Sequence, residues 1–419
     1  MSAAFTVDSQ ALDVAPNHWT RAPLWSVLRR RDISERPDAE LLSVYRDHGV
    51  VPKASRDDNF NKPSEDLNAY RFVRPGDLVL NKMKTWQGSL AVSQYEGIVS
   101  PAYFVCELSP KLHPRFVHYL LRSQPYVHLY QSVSKGIRPN QWDLPFDEFR
   151  SLPMLLPPLE EQRRIADFLD AETSHIDRMI GYRRQQIEAT LALEQSLLAE
   201  HIGDVSAGSI RVKFLVSRLT SGPRGWGEFV TDDGTVFLRI ANIPRVGIDL
   251  DTRDILRVCA PEGPERERTR TRPGDVLVSI TADIGSVAVV SDEMADGNVS
   301  QHIALLRPVA EKCYGRWLAY ALKSPRSRQQ LAANSYGGTK VGLGLAEVGN
   351  VGVPAMAFRE QQDVVRKIDT GMHSSIQLKS AMKLQNSLLA ERRQALIAAA
   401  VTGQFDVTTA SGRNVTQGV

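Results

Sequence analysis

Two long stretches of the chain carry apolar residues at helical spacing. The first has two apolar rows with an 11-residue period, one of Ile165, Ile176, Ile187 and Leu198 and the other of Leu169, Ile180 and Leu191. The second has an apolar residue at every seventh position, at Met382, Leu389 and Leu396. We therefore predict two helices of about 40 residues, each roughly 60 Å long. Such helices exceed the width of an ordinary domain, so they are expected to project and to lie side by side. The 11-residue period favours an almost straight pairing over the left-handed supercoil of strict heptads.

The sequence before each stretch is repeated. The segment "RPGDLVLNKM" from Arg74 returns as "RPGDVLVSIT" from Arg272, 198 positions later. Three further matches follow in the same order at offsets of 199 to 201: "VSPAYFVCEL" with "VSQHIALLRP", "FVHYLLRS" with "WLAYALKS", and Glu161-Gln162 with Glu360-Gln361. Four ordered matches at nearly constant spacing indicate an internal duplication.

Each copy is predicted to be a mixed α and β domain followed by its long helix. Pro-Gly-Asp precedes an aliphatic run in both copies, which is typical of a turn that leads into a strand. Asp77 and Asp275 are therefore interpreted as turn residues and not as catalytic groups. We predict an α+β fold with repeated domains at 1–156 and 204–353, long helices at 157–203 and 354–402, and a tail at 403–419. Gly371 should weaken the second helix by about 1 kcal/mol relative to alanine.

Composition narrows the class of protein. The 419 residues exceed one ordinary core, and 42% hydrophobic with 24% charged residues is typical of a soluble globular protein. A net charge of +3 permits nucleic-acid binding without requiring it. The three cysteines lack metal or disulfide spacing, and no apolar run reaches the roughly 18 residues of a membrane span, so a cytoplasmic protein with no membrane partner is expected.

Sequence signatures of catalysis are missing. The chain has no GxxxxGK[ST] phosphate loop, no GxSxG nucleophile elbow and no HExxH metal pair, and "GGTKVGLGLAEVG" has Glu347 where GxGxxG needs its third glycine. The four-residue Asp-Pro-Pro-Tyr or Asn-Pro-Pro-Tyr motif of amino-methyltransferases is also absent. We therefore predict no catalytic residue, no metal site and no cofactor for this chain.

Polar loops at equivalent places of the two copies suggest binding instead. They mix cations and amides with glycine and tryptophan, a composition suited to phosphate and base-edge contacts. The candidates for DNA binding are Lys82, Lys84, Trp86, Lys135, Arg138, Asn140 and Gln141 in the first copy, and Arg224, Trp226, Asn334, Thr339 and Lys340 in the second. For any single residue an ordinary solvated loop is an equally good interpretation, so the prediction depends on the set.

The chain resembles a known family in several of these motifs. "LPPLEEQRRIADFLDAETSHIDRMI", the two "RPGD" strands, "GIVSPAYFV" and the closing "LAERRQALIAAAVTGQFDV" are similar to specificity subunits of type I restriction-modification systems. The resemblance covers essentially the whole chain. One departure is the start of the second helix, "VPAMAFREQQ", which lacks the paired prolines of the first.

The resemblance implies a non-catalytic, sequence-specific DNA-binding subunit. Its two target-recognition domains would each read one half of a bipartite, asymmetric site in double-stranded DNA, and two antiparallel paired helices would separate them and fix the unread spacer. The helices would also dock modification subunits, which methylate adenine with S-adenosylmethionine, and restriction subunits, which use ATP and magnesium.

Two other functions remain open from the residues alone. One is a self-contained DNA methyltransferase or nuclease with duplicated domains, which would transfer methyl groups unaided. The other is a helical scaffold that joins proteins without touching DNA, which would tolerate the neutralisation of Lys135, Arg138 and Lys340.

Overall fold

The computed structural model describes residues 10–56, 63–64, 66–136, 142–202, 208–333 and 342–407. The chain divides into two compact units. Unit 1 comprises Met1–Gly181 and Asn386–Val419, and unit 2 comprises Tyr182–Gln385. Each long helix therefore contributes one part to each unit. The division into five segments made from the sequence stays a prediction.

The elements that begin in unit 1 are β-rich at first and helical towards the end. They are α1 (Gln10–Asp13), β1 (Thr20–Pro23), β2 (Leu28–Arg30), β3 (Leu42–Tyr45), β4 (Gly49–Pro52), β5 (Arg71–Val73), β6 (Leu78–Asn81), β7 (Leu90–Val92), β8 (Gly97–Val99), β9 (Tyr103–Leu108), α2 (Pro114–Arg122), α3 (Gln124–Val133), α4 (Phe146–Ser151), β10 (Pro153–Leu156) and α5 (Leu159–Ile202).

The elements that begin in unit 2 follow a similar order, with the helix α6 between β15 and β16. They are β11 (Ser209–Arg211), β12 (Val216–Ser221), β13 (Val230–Thr231), β14 (Thr235–Leu238), β15 (Leu256–Val258), α6 (Pro264–Thr269), β16 (Val276–Ser279), β17 (Val287–Val289), β18 (Asn298–Val299), β19 (Ile303–Pro308), α7 (Gly315–Lys323), α8 (Pro325–Ala333), α9 (Leu345–Asn350), β20 (Gly352–Pro354) and α10 (Phe358–Val401).

The duplication is present in the strand order. Unit 1 has an antiparallel sheet β2-β9-β6-β7 and unit 2 has β12-β19-β16-β17, and in both a short antiparallel pair joins the first strand to the last, β1 with β10 and β11 with β20. The units differ beside this sheet. Unit 1 has two two-stranded ladders, β3-β4 and β5-β8, whereas unit 2 has one four-stranded sheet, β13-β15-β14-β18. The predicted α+β class with two repeated domains is confirmed.

The Pro-Gly-Asp motif forms the turn before β6 and before β16. The Asp77 carboxylate accepts a hydrogen bond from the Arg74 amide at 2.7 Å, and the Asp275 carboxylate accepts one from the Arg272 amide at 2.8 Å. Each aspartate also forms an ion pair with an arginine. The partner is Arg31, directly after β2, in unit 1 and Arg307, on β19, in unit 2. Both carboxylates are thus used by the turn, as the sequence indicates.

A buried glutamine fixes the start of each long helix. Gln162 accepts a hydrogen bond from the His113 amide at 2.8 Å and donates to the carbonyls of Lys111 and Pro157 at 3.1 and 2.9 Å. Gln361 repeats the arrangement, accepting from the Tyr314 amide at 2.7 Å and donating to the carbonyls of Lys312 and Met356 at 3.1 and 2.9 Å. The missing prolines of the second motif therefore leave this connection unchanged.

An arginine and a tyrosine on one short helix of each unit fix the next turn of the long helix. In unit 1, Arg115 pairs with Asp167 at 2.6 Å and contacts Asp170, whose other oxygen accepts from the Tyr119 hydroxyl at 2.7 Å. In unit 2, Arg316 pairs with Asp369 at 2.8 Å, and the Tyr320 hydroxyl donates to the same carboxylate at 2.6 Å. The tyrosines of the "FVHYLLRS" and "WLAYALKS" motifs, together with the arginine directly before each motif, thus attach each domain to its long helix.

The two long helices have equal length, 44 residues each. In unit 1, Phe168 stacks near Phe405 and Asp177 pairs with Arg393 at 3.1 Å, so the later part of one helix meets the earlier part of the other. In unit 2, Glu194 pairs with Lys379 and Leu197 lies against Gly371. The helices are therefore antiparallel within each unit. A Cβ at residue 371 would lie 2.7 Å from Leu197 Cδ2, so a larger residue there would displace the Leu197 side chain.

The buried face of the first helix contains the predicted row of 11-residue spacing, with Ile165, Ile176 and Leu198 buried and Ile187 half-buried, and it also contains positions that are seven residues apart. In unit 1 the buried positions include Gln162, Leu169 and Ile176, which are seven apart, and Ile165 joins the same core. In unit 2 they include Thr190 and Glu194, with Leu198 in the local core. Leu191 is 36% exposed and lies outside this face. Ile180 and Ile187 are half-buried, as are Met382, Leu389 and Leu396 on the second helix. The buried polar positions Gln162, Thr190 and Glu194 add to the predicted apolar rows, because hydropathy alone does not select them.

Candidate nucleic-acid interface

Three backbone segments of unit 1 meet where strand β6 ends. They are residues 81–84, residues 100–103 between β8 and β9, and residues 142–145 before α4. The Lys82 amide donates to the Ala102 carbonyl at 3.2 Å, and the Leu144 amide donates to the Lys82 carbonyl at 3.0 Å. These hydrogen bonds hold the three segments, which we call the unit 1 frame, in fixed register.

The same arrangement occurs in unit 2 where strand β16 ends. The Ile280 amide donates to the His302 carbonyl at 3.1 Å, and the Leu343 amide donates to the Ile280 carbonyl at 2.9 Å. The segments are residues 279–282, 300–303 and 342–345, which we call the unit 2 frame. Because the backbone hydrogen bonds correspond one to one, the frame belongs to the duplication, while the side chains on it differ.

Cationic side chains surround the unit 1 frame. Lys82 pairs with Asp143 at 3.0 Å, and Lys135 pairs with Glu148 at 2.8 Å while its backbone forms a bridge to Asp143. Both pairs are substantially exposed, so each is worth at most about 1 kcal/mol and can be exchanged for a phosphate contact. Lys84 is exposed and forms no ion pair within the described part of the chain.

Trp86 has a structural role in this loop. Its side chain is buried, its indole N–H donates to the Met83 carbonyl at 3.0 Å, and its ring lies 5.1 Å from that of Trp142. The indole therefore braces residues 81–88 against residues 142–145. It presents no free face for base stacking, whereas Met83 beside it is 58% exposed.

A cleft of about 520 Å³ opens on the unit 2 frame. Its lining includes Arg224, Thr281, Gln301 and His302 together with residues 342–345. Arg224 is exposed and, among the residues that the structure describes, has no ion-pair partner. A cation thus stands at one side of a polar cleft, which suits an anionic ligand.

The loop that carries Arg224 approaches the frame through Gly222. A Cβ at residue 222 would lie 1.9 Å from the Val299 carbonyl oxygen, so only glycine permits this approach. Trp226, in the short 3₁₀ turn Trp226–Phe229, is buried against Phe237 at 6.5 Å and lines a second cleft of about 340 Å³. Like Trp86, it anchors its loop.

Gln301 and His302 are polar frame residues that the composition of the loops did not identify. His302 Nδ1 lies 3.1 Å from Thr281 Oγ1, and its Nε2 lies 3.0 Å from Gln301 Nε2. Both residues line both clefts of unit 2. A signal for them exists in the sequence, because "VSQHIA" and "VSPAYF" occupy equivalent places in the two copies, and Gln301 and His302 stand where unit 1 has Pro101 and Ala102.

The structure brings together Lys82, Trp86 and Lys135 in unit 1, with Lys84 exposed nearby in sequence, and Arg224 and Trp226 in unit 2. The remaining candidates, Arg138, Asn140, Gln141, Asn334, Thr339 and Lys340, lie outside the described residues. Contact of any candidate with DNA stays a prediction. Within the described residues, no group of three or more His, Cys, Asp or Glu side chains could hold a metal ion. No helix in that same part is long and apolar enough to span a membrane.

Two curated proteins that are similar to this chain are both named as type I restriction enzyme specificity subunits. No family model matches the chain. The chain is 22% identical over 244 residues to a type I restriction enzyme specificity subunit from Escherichia coli, an alignment that covers 51% of this chain and 50% of that protein. It is 29% identical over 132 residues to a putative type I restriction enzyme specificity subunit from Methanocaldococcus jannaschii, covering 30% and 29%. The chain thus spans half or less of the length of these curated relatives.

Solved structures match over nearly the whole chain. One is a chain from work on complex assembly and conformational transition of the type I R-M system, with a TM-score of 0.70, 22% identity and coverage of 93% of this chain and 99% of that one. Another is the HsdS subunit from Thermoanaerobacter tengcongensis, with a TM-score of 0.51, 20% identity and coverage of 93% and 98%. The resemblance to type I specificity subunits is confirmed, and the fold is shared across the chain.

Proposed function

We propose that this chain is the sequence-specific DNA-binding subunit of a type I restriction-modification complex. Each unit would read one half of a bipartite, asymmetric site in double-stranded DNA. The observation that carries the proposal is the frame, which repeats its backbone hydrogen bonds in both units while presenting lysines in unit 1 and a glutamine and a histidine, beside Arg224, in unit 2.

Duplicated backbone with different side chains is what two readers of different sequences require. Functional residues are commonly carried by loops on a rigid scaffold, and each frame is a set of loops fixed at strand ends. Exposed cations such as Lys84 and Arg224 would contact phosphates, and polar side chains of the frames would contact base edges. Because the two sets differ, the two half-sites should differ, and half-site spacing should follow from protein geometry.

The long helices would fix the spacer and dock the partner subunits. Several large apolar side chains on the helices are exposed and would supply contacts for docking. They are Tyr182, Leu193, Leu378 and Leu384 in unit 2 and Leu388 in unit 1. In this proposal the modification subunits bind S-adenosylmethionine and the flipped adenine, the restriction subunits bind ATP and magnesium, and this chain has no catalytic site of its own.

Reconstituted methyl transfer tests whether this chain recognises DNA while the modification subunit transfers the methyl group. The chain, the neighbouring modification subunit and the mixture of both would each be supplied with labelled S-adenosylmethionine and DNA. We expect labelled adenine from the mixture only. Labelling by the chain alone would establish a self-contained methyltransferase, and equal labelling by the modification subunit without the chain would favour the scaffold function.

Salt-dependent binding tests the frames. Replacing Lys84 and Arg224 by alanine should weaken DNA binding by the complex and lower the slope of log affinity against log salt by about one for each lost phosphate contact. Lys111 and Lys312 form a matched control, because both are exposed and precede α2 and α7 outside the frames. An equal loss of slope in the control pair would contradict the assignment.

A further inference from the structure

We propose that Gln301 is a specificity-determining residue that reads an adenine in the half-site of unit 2, with His302 and Thr281 as its positioning residues. The inference rests on the proposed function and makes it specific. Unit 1 has Pro101 and Ala102 at the equivalent positions, so it offers no side-chain hydrogen bond there. The two half-sites would therefore be read by different chemistry at one shared place.

Two consecutive side-chain hydrogen bonds, between Thr281 and His302 and between His302 and Gln301, orient the Gln301 amide. One neutral tautomer of His302 satisfies both of its contacts: Nδ1–H donates to Thr281 Oγ1 at 3.1 Å, and Nε2 accepts from Gln301 Nε2 at 3.0 Å. This leaves Gln301 with its Oε1 acceptor and one N–H donor. Because both remaining groups lie on the same planar amide, they can face a ligand as an acceptor and donor pair.

The backbone that carries Gln301 and His302 is held by hydrogen bonds. The His302 carbonyl accepts from Ile280, the Ser300 amide donates to the Leu238 carbonyl at 2.9 Å, and the Ile303 amide donates to the Ser300 carbonyl at 3.1 Å. Contact groups mounted on fixed backbone hold their geometry better than groups on loose loops. Gln301 is thus preorganised and does not need to order a loop on binding.

The surroundings provide a place for a ligand. Gln301 and His302 line both the 520 Å³ cleft beside Arg224 and the 340 Å³ cleft beside Trp226. Ser300 also lines the smaller cleft, and its buried hydroxyl has no hydrogen-bond partner within the described residues. A buried hydroxyl of this kind needs a partner outside the protein, either a water molecule or a group of a ligand.

The donor and acceptor pair of the amide matches adenine. In the major groove adenine presents N7 as an acceptor and N6–H₂ as a donor, which an amide of glutamine contacts in bidentate fashion. Guanine presents acceptors at both places, so its O6 would face Oε1 without a hydrogen. Thymine offers only an acceptor and cytosine only a donor. Adenine is therefore the base that uses both groups.

Modified-base sequencing of the complete complex with single variants of this chain tests the inference. Gln301→Ala should relax one A·T position in one half-site, with discrimination falling roughly 5- to 100-fold, and leave the other half-site unchanged. Gln301→Glu keeps the size of the side chain but removes the N–H donors, and should move the preference at that position from adenine towards cytosine. His302→Ala should relax the same position less strongly. Gln329→Ala, an exposed glutamine on α8, is the matched control and should change nothing.

The unit 1 half-site serves as an internal control in each sample, because misfolding would reduce specificity in both halves. Full discrimination at every position with Gln301→Ala and Gln301→Glu would overturn the inference while leaving the proposed function intact. A wild-type complex that modifies no split motif would instead overturn the proposed function, and the inference with it.

Discussion

Glu194 and Lys379 face each other from the two long helices of unit 2, with Oε1 of the glutamate 2.5 Å from Nζ of the lysine. Their side chains are only 9% and 5% exposed. A buried charge without a partner is strongly unfavourable, so sliding one helix along the other would leave both charges unpaired in an apolar contact. The pair therefore specifies the register and the antiparallel direction of the helices in this unit.

Removing one partner of this pair should destabilise unit 2 strongly. Lys379→Met leaves the Glu194 carboxylate buried alone, and we expect the free energy of unfolding to fall by about 3–5 kcal/mol. Glu194→Met combined with Lys379→Met should recover most of the loss. Urea unfolding measures both effects. Lys383→Met, an exposed lysine one turn later, is the control and should change stability by less than about 0.5 kcal/mol. A Lys379→Met variant that matches this control would contradict the assigned role.

The glutamines at the helix starts should contribute similar stability in the two units. Gln162→Ala or Gln361→Ala leaves one buried amide and two carbonyls without their partner, at a cost of about 2 kcal/mol or more. Gln185→Ala on the exposed face of the first helix should have little effect. The denaturant midpoints of the two variants measure these losses of stability. A lower midpoint for only one of the two variants would show that the two connections are not equivalent.

Lys323 should make stability depend on alkaline pH. Its ammonium donates to the Gly247 carbonyl, and burial lowers the pKa of Lys323 from 10.5 to about 8. Between pH 8 and 10.5 the unfolded chain holds a proton that the folded chain has released, so this group makes the free energy of unfolding rise with pH. We expect Lys323→Met to remove that rise, whereas Lys312→Met, at an exposed site, should not. Parallel stability curves from pH 7 to 10 for wild type and Lys323→Met would contradict the prediction.

Helix length should set the spacer without changing the half-sites. Deleting one seven-residue repeat from each long helix shortens each by roughly 10 Å, about three base pairs, and preserves the buried face. Deleting residues 185–188 from one helix alone removes Ile187 and shifts the following positions off the seven-residue spacing, so stability should also fall. Sequencing of modified sites should show a changed spacer between unchanged half-sites. An unaltered spacer in the seven-residue variant would reject the ruler function.

The duplication and the long helices could be predicted because they leave periodic signals. Offsets near 200 between repeated motifs fixed the order of elements, and apolar rows indicated the helices. The register in which the two long helices pair could not be predicted from such periodic signals. Glu194 and Lys379 are ordinary helix residues in sequence, and their burial is visible only when both helices are present.

The candidate site was predicted less completely. Choosing cations and aromatics in polar loops selected Lys82 and Lys84, which the structure places on the frame, and also Trp86 and Trp226, whose indoles are buried anchors. It missed Gln301 and His302, which lie between apolar residues of a strand motif. Their position becomes informative only by comparison with Pro101 and Ala102 on the matching frame of unit 1.

Sequencing of modified bases in cellular DNA tests the central claim most directly. Cells would express a type I modification subunit from the same organism with and without this chain. The account predicts adenine methylation at a split, asymmetric motif that appears only when this chain is present. Methylation that is continuous, palindromic or independent of the chain would contradict the two-reader account.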